Sequence, residues 1–187
     1  MKLKIYCRIQ LVLIVAIVSL FSFSVNLIAQ EIGANFNHSP GIIDFKYVER
    51  SQVDWIRTTP EIFNYINGSI SLGDDSPLNK VVEAGQRGYK IAFGFRWHFK
   101  DNSLRIPQPN SAEEQLYFKY ADSILKKVGP YVDIFKLGNE PQWETHADDM
   151  KADGEGEIPL VRFTQRFFSH VVYPYFSTHN GGRMPGI

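Results

Sequence analysis

The segment KLGNEPQW, Lys136 to Trp143, sets an acid between an amide and a proline, with an indole close behind. A carboxylic acid whose pKa is raised towards neutrality can hand its proton to a leaving oxygen and later take one from water. Glu140 is of that type. Asn139 beside it can hydrogen-bond a hydroxyl, and Trp143 offers a flat apolar surface. Three more clusters have the same mixed character: Asn37-His38, Arg57, and Arg96-Trp97-His98. Each taken alone also reads as ordinary loop chemistry. Asn and Pro make turns, and an Arg at a strand end can simply pair with a carboxylate. What lifts them above that reading is where the chain puts them.

Each cluster follows a short apolar run. Ile32–Phe36 reads as a strand ending at Asn37. DWIRTT is a second strand, with Arg57 near its end. GYKIAFGF is a continuous apolar run of the buried parallel kind, ending in RWHF. YVDIFKLG is the fourth, ending in Asn139-Glu140. Helical stretches lie between them. One is expected after Ile42. Another starts with Ser76 as cap and Pro77 in first position. Ala112 to Val128 is the surest: Ser111 and Glu114 form a capping box, Leu116, Tyr120, Ile124 and Val128 recur at helical spacing, and Gly129-Pro130 end it. A last helix is expected over Leu160–Val172. The stretch from Pro60 to Asp75 reads as a loop, and Tyr173 onward as irregular. Strands alternating with helices predict βαβ units and a parallel sheet. In such architectures chemistry gathers at the C-terminal strand ends, where all four clusters fall.

Bulk composition narrows the class. Lys plus Arg number 20, as do Asp plus Glu, which argues against a nucleic-acid binder and against a polybasic membrane arm. Aromatics make up 14% of the chain, a supply that serves either a filled core or a sugar-binding surface. The N-terminus has Lys2, Lys4 and Arg8, then an apolar run from Leu11, then Ala29 near a cleavage point. Residues 1–29 are therefore expected to be an export signal. The apolar run is close to the roughly 20 residues of a membrane span, but Ser19, Ser22, Ser24 and Asn26 thin its second half, so a retained anchor is the less favoured reading. The single cysteine, Cys7, precedes this run, which leaves residues 30–187 without a disulfide.

GNEP at the end of a fourth strand, after WIR on a second, resembles the clan A retaining glycoside hydrolases. The resemblance implies a (β/α)8 barrel, of which this chain would hold about the first four βα units, and cleavage of β-glycosidic bonds in poly- or oligosaccharides. It implies Glu140 as acid/base, with Asn139 bonding the 2-hydroxyl of the sugar in the cleaved subsite. Arg57 and His98 are looser matches. Trp97, Trp143 and Asn37 join them as expected sugar contacts, on chemical type alone. Retention needs a second carboxylate about 5–5.5 Å from the first, as nucleophile. The family carries it on a seventh strand. A whole barrel takes about 250 residues, against 187 here, so residues 30–187 are expected to be the N-terminal half of a catalytic domain, ending before the fifth strand and inactive alone. Asp44, Glu61 and Glu144 are poor substitutes for the nucleophile.

No cofactor is expected. The acidic run Glu140, Glu144, His146, Asp148 and Asp149 lacks an H-E-x-x-H pattern, and Asp149 onward fits a calcium loop only in part, so no metal is expected either. The competing reading is a non-catalytic carbohydrate-binding or scaffold protein on a partial barrel. An open half barrel would also leave a strand edge unpaired, which invites self-association.

Overall fold

The computed structural model describes residues 31–36, 40–97, 103–138, 140–179 and 184–186. The expected export signal lies outside them. Among the described residues no helix is long and apolar enough to cross a membrane.

The architecture is α/β. Four strands, β1 (Gly33–Asn35), β2 (Trp55–Thr58), β3 (Lys90–Phe95) and β4 (Val132–Leu137), form a parallel sheet in sequential order. Alternation along a strand sends neighbours to opposite faces. Ile56, Thr58, Ile91, Phe93 and Phe95 are buried on one face, where the helices pack. A register shift between Ile91 and Ala92 changes the parity of β4, so that both Val132 and Phe135 are buried. The other face carries Asn35, Arg57, Ala92 and Ile134 in one cross-strand row, with Gly94 and Lys136 in the next row up. Beyond β4, Met184–Gly186 runs along the outer edge. Gly186 N donates to Asp133 O, and Phe135 N to Gly186 O, both at 2.8 Å, in a parallel bridge.

The helices are α1 (Phe45–Arg50), α2 (Ile62–Ile66), α3 (Asn79–Gln86), α4 (Ala112–Val128), α5 (Pro141–Glu144), α6 (Pro159–Phe167) and α7 (Tyr173–Thr178). Asp44 caps α1, its carboxylate accepting from Lys46 N at 3.0 Å. Three expectations change. The stretch after Pro60 is not all loop: Ile62 and Tyr65 are buried on α2, a helix of five residues, too short to show a period. Helix α6 does not stop near Val172. It continues through a π turn at Phe168–Val172 into α7, and that wider turn stands immediately before the segment containing Pro174, where an ordinary ladder would lose a donor. On α4 the buried stripe is Tyr117, Ala121, Ile124, Leu125 and Val128, while Leu116 is exposed. A strict spacing of four drifts around a helix of 3.6 residues per turn. Alternating threes and fours keep to one face.

Much of the aromatic content goes into the core. Phe95 meets Phe135 at 5.8 Å and Phe167 at 6.1 Å between ring centres, and Tyr117 meets Phe163 at 5.2 Å, all edge-on.

The capping box at α4 forms by half. Ser111 Oγ accepts from Glu114 N at 3.1 Å, as the pattern predicts. The Glu114 carboxylate turns away from Ser111. It accepts from Asn110 N at 2.7 Å and from Arg166 Nε and Nη2 at 2.8 and 2.7 Å. Glu114 is 1% exposed, so this fork ties α6 to the head of α4 from inside. Burial raises its pKa, but the Arg166 and Asn110 hydrogen bonds and the charges of Arg166 and His170 outweigh that and hold it below the usual glutamate value. A carboxylate depressed in the folded state contributes stability that is present above its unfolded pKa, about 4.3, and is lost as pH falls through the folded value. Glu114→Gln is expected to cost about 2 kcal/mol at neutral pH, and urea titrations at pH 7 and pH 3 should show the difference from the parent shrinking at the lower pH.

Candidate active site at the strand ends

The C-terminal end of β4 is shaped by Gly138 and Trp97. Gly138 has φ +71°, a left-handed conformation that glycine adopts without strain. Its N–H donates to Phe95 O at 2.5 Å, prolonging the ladder to β3. The Trp97 indole lies where a side chain on residue 138 would stand. Past this turn Glu140, at φ −123° and ψ 95°, is the N-cap of α5, and Pro141 follows in the first helical turn. Trp143 N and Glu144 N both donate to Glu140 O at 2.9 Å. The Glu140 backbone is thus fixed by the helix it opens, and its side chain makes no cap bond and stands exposed.

Around it lies a set of charges from three strand ends. Arg96, next after β3, is half-buried. Its Nη1 is 3.4 Å from Glu61 Oε1, and its Nε is 4.0 Å from Glu144 Oε1. Glu61 precedes α2 and Glu144 ends α5, so this one guanidinium joins the segments following β2, β3 and β4. The Tyr117 hydroxyl donates to Arg96 O, fixing the same residue from α4. Lys136 lies on the sheet face opposite the one that buries Phe93 and Phe95. Burial, and after it the neighbouring Arg57 cation, pushes the Lys136 amine down to about 8, partly opposed by Glu144 and Glu140.

Three comparisons with known proteins bear on this chain. No family model matches it. No curated protein matches it. One similar solved structure is a GH5_18 protein from Bifidobacterium longum subsp. longum, a Glu-to-Ala variant in complex with Manb1-4GlcNAc. The TM-score is 0.43 and the identity 13%, over 78% of this chain and 40% of that one. The chain thus spans well under half the length of that glycoside hydrolase.

Of the residues expected at the site, Arg57, Trp97, Glu140 and Trp143 are described. Asn139, His98 and Asn37 lie outside the described residues. Trp143 is 72% exposed beside Glu140, an indole face open to solvent. Trp97 is placed differently, at 7% exposure with its ring against Gly138, and its Nε1 is buried without a hydrogen-bond partner. Burial suits it to shaping the turn that carries Glu140 more than to open stacking. The acidic run downstream is engaged in structure: Arg105 Nη2 is 2.8 Å from Asp149 Oδ1 and Arg105 Nη1 is 3.4 Å from Asp148 Oδ2, while Ile106 N donates to Asp149 Oδ2 at 3.1 Å.

Residue-type reasoning missed Lys136 and the joining role of Arg96. Lys136 was legible as one of two charges, with Asp133, in a strand otherwise made of Val, Ile, Phe and Leu, an expensive placement that asks for a reason.

Proposed function

We propose that residues 30–187 are the acid/base half of a (β/α)8 catalytic domain in an exported retaining glycosidase that cleaves β-glycosidic bonds. The observation that carries this reading is Glu140 standing exposed at the head of α5, directly past the end of a parallel strand, with the open Trp143 beside it. In this role Glu140 protonates the glycosidic oxygen as the bond to the sugar breaks. Once the aglycone has left, the same carboxylate takes a proton from water as it attacks the glycosyl-enzyme. Asn139 bonds the 2-hydroxyl, and Trp143 carries the apolar face of a sugar ring. The nucleophile comes from outside these residues. Glu61 and Glu144 are taken up by Arg96 and are poor candidates for it.

The test is calorimetry of the full chain against a panel of β-linked oligosaccharides, with product analysis of the same mixtures. Binding without cleavage is expected, and Trp143→Ala should weaken it about tenfold, about 1.4 kcal/mol. Binding that ignores Trp143 would remove the stacking role. Turnover by the chain alone, abolished by Glu140→Gln, would overturn the division of the site between two halves.

A further inference from the structure

Helix α5 is a single turn, and it carries both described groups assigned to the sugar, Glu140 at its head and Trp143 within it. A helix this short does not keep its shape in water, because fixing one turn costs more conformational freedom than its hydrogen bonds recover. Its own bonds are those from Trp143 N and Glu144 N to Glu140 O, and no side chain caps it. Packing has to hold it. Trp143 is open to solvent and gives no grip. Of the four residues Glu144 alone is buried. The anchor of this turn is therefore a carboxylate, a group that stays out of water only in the company of partners.

Arg96 supplies the cation, with Nε 4.0 Å from Glu144 Oε1. It is itself well fixed. Its backbone continues β3, and its carbonyl accepts from the hydroxyl of Tyr117, a buried residue of α4. Its Nη1 is 3.4 Å from Glu61 Oε1, at the head of the helix that buries Ile62 and Tyr65. The next residue, Trp97, lies against Gly138. Two successive residues thus grip the acid/base segment from both sides: Trp97 at the turn before Glu140, and Arg96 at the helix end after it.

We infer that Arg96 is a positioning residue of the site: through Glu144 it sets where α5 holds Glu140 and Trp143, without itself touching the sugar. The inference rests on the glycosidase reading and adds to it the residue that places its machinery. With Arg96 removed, the Glu144 carboxylate loses a cation while still buried, and gains by moving to water with the single turn attached. A neutral residue at 144 has no such gain. Substitutions at 96 and 144 should therefore offset one another in sugar affinity. An arginine that touched the sugar would not show this, and one that only stabilised the fold would leave the affinity of the folded chain alone.

The experiment uses the full chain labelled with 5-fluorotryptophan, as parent, Arg96→Met, Glu144→Gln and the double variant. The fluorine resonance of Trp143, assigned with Trp143→Phe, reports the pose of α5 without sugar, and that of Trp55 reports the intact sheet. Calorimetry against cello-, manno- and xylotetraose reports affinity. Arg96→Met should move the Trp143 resonance, leave that of Trp55 in place, and weaken the best-bound sugar by about tenfold. The double variant should return the resonance, and the affinity to within about threefold of the parent. Should Arg96→Met fail to fold, Arg96→Lys, which keeps the charge with a shorter reach, is expected to move Trp143 in the same direction by less. An unmoved Trp143 resonance would overturn the inference, as would an affinity that the double variant does not recover. Binding of no sugar by the parent would end the glycosidase reading alone, and the Trp143 resonance would still decide what holds α5.

Discussion

Glu140→Gln, in a barrel that supplies the second carboxylate, should turn over an unactivated β-glycoside about 10²–10⁴-fold more slowly than the parent. Glutamine keeps the size and the backbone of the α5 N-cap, and Glu140 makes no side-chain cap bond to lose. The fold should be undisturbed and the loss purely chemical. The amide can neither give a proton to the leaving oxygen nor take one from water. A nitrophenyl glycoside, whose leaving group needs little protonation, should form the glycosyl-enzyme at near the parent rate and then stall. Azide, an anion that attacks without a general base, should release that intermediate as a glycosyl azide. Steady-state rates on both substrates, with and without azide, distinguish this from misfolding. An unchanged rate on the unactivated substrate would end the assignment of Glu140.

Gly138→Ala should destabilise the protein by about 4 kcal/mol. Two costs combine. A non-glycine residue held at positive φ costs about 1–3 kcal/mol, and forcing extra bulk into a packed contact costs about the same again. At 138 the bulk meets the Trp97 ring, which is 7% exposed and has little room to retreat. Gly156 is the control. It has φ +81° with nothing within 4 Å of where a Cβ would be, so Gly156→Ala carries the backbone cost alone. Urea denaturation of the two variants separates strain from collision. If both lost the same amount, the Trp97 contact would be worth nothing.

The sequence made part of this site legible, for physical reasons that differ from residue to residue. The end of β4 was legible because its apolar run stops just before Glu140, but the short helix that Pro141 opens was not read from four residues. The ends of α4 were equally readable, because Ser111 and Gly129-Pro130 act on their own neighbours. Helix α2 was not, since five residues carry no period. The Arg96 junction was hidden for another reason: Glu61 and Glu144 come to it from far along the chain on either side, and long-range ion pairs leave no spacing to find. Glu114 was read as half of a local box. Its carboxylate instead answers to Arg166, a partner that only the packing of α6 against α4 brings near.

The two indoles around Glu140 have an optical consequence. Trp97 is dry and pressed against the backbone of the turn, while Trp143 is wet. A neutral collisional quencher such as acrylamide reaches the second and is denied the first. Light emitted at longer wavelength from Trp143 should be shielded when a sugar covers it, with the quenchable fraction falling in proportion to occupancy. Emission from Trp97 should stay blue until the chain unfolds. With the third indole, the half-buried Trp55 of β2, replaced by phenylalanine, one fluorescence spectrum carries two separate gauges, one of occupancy and one of foldedness, with no dye attached.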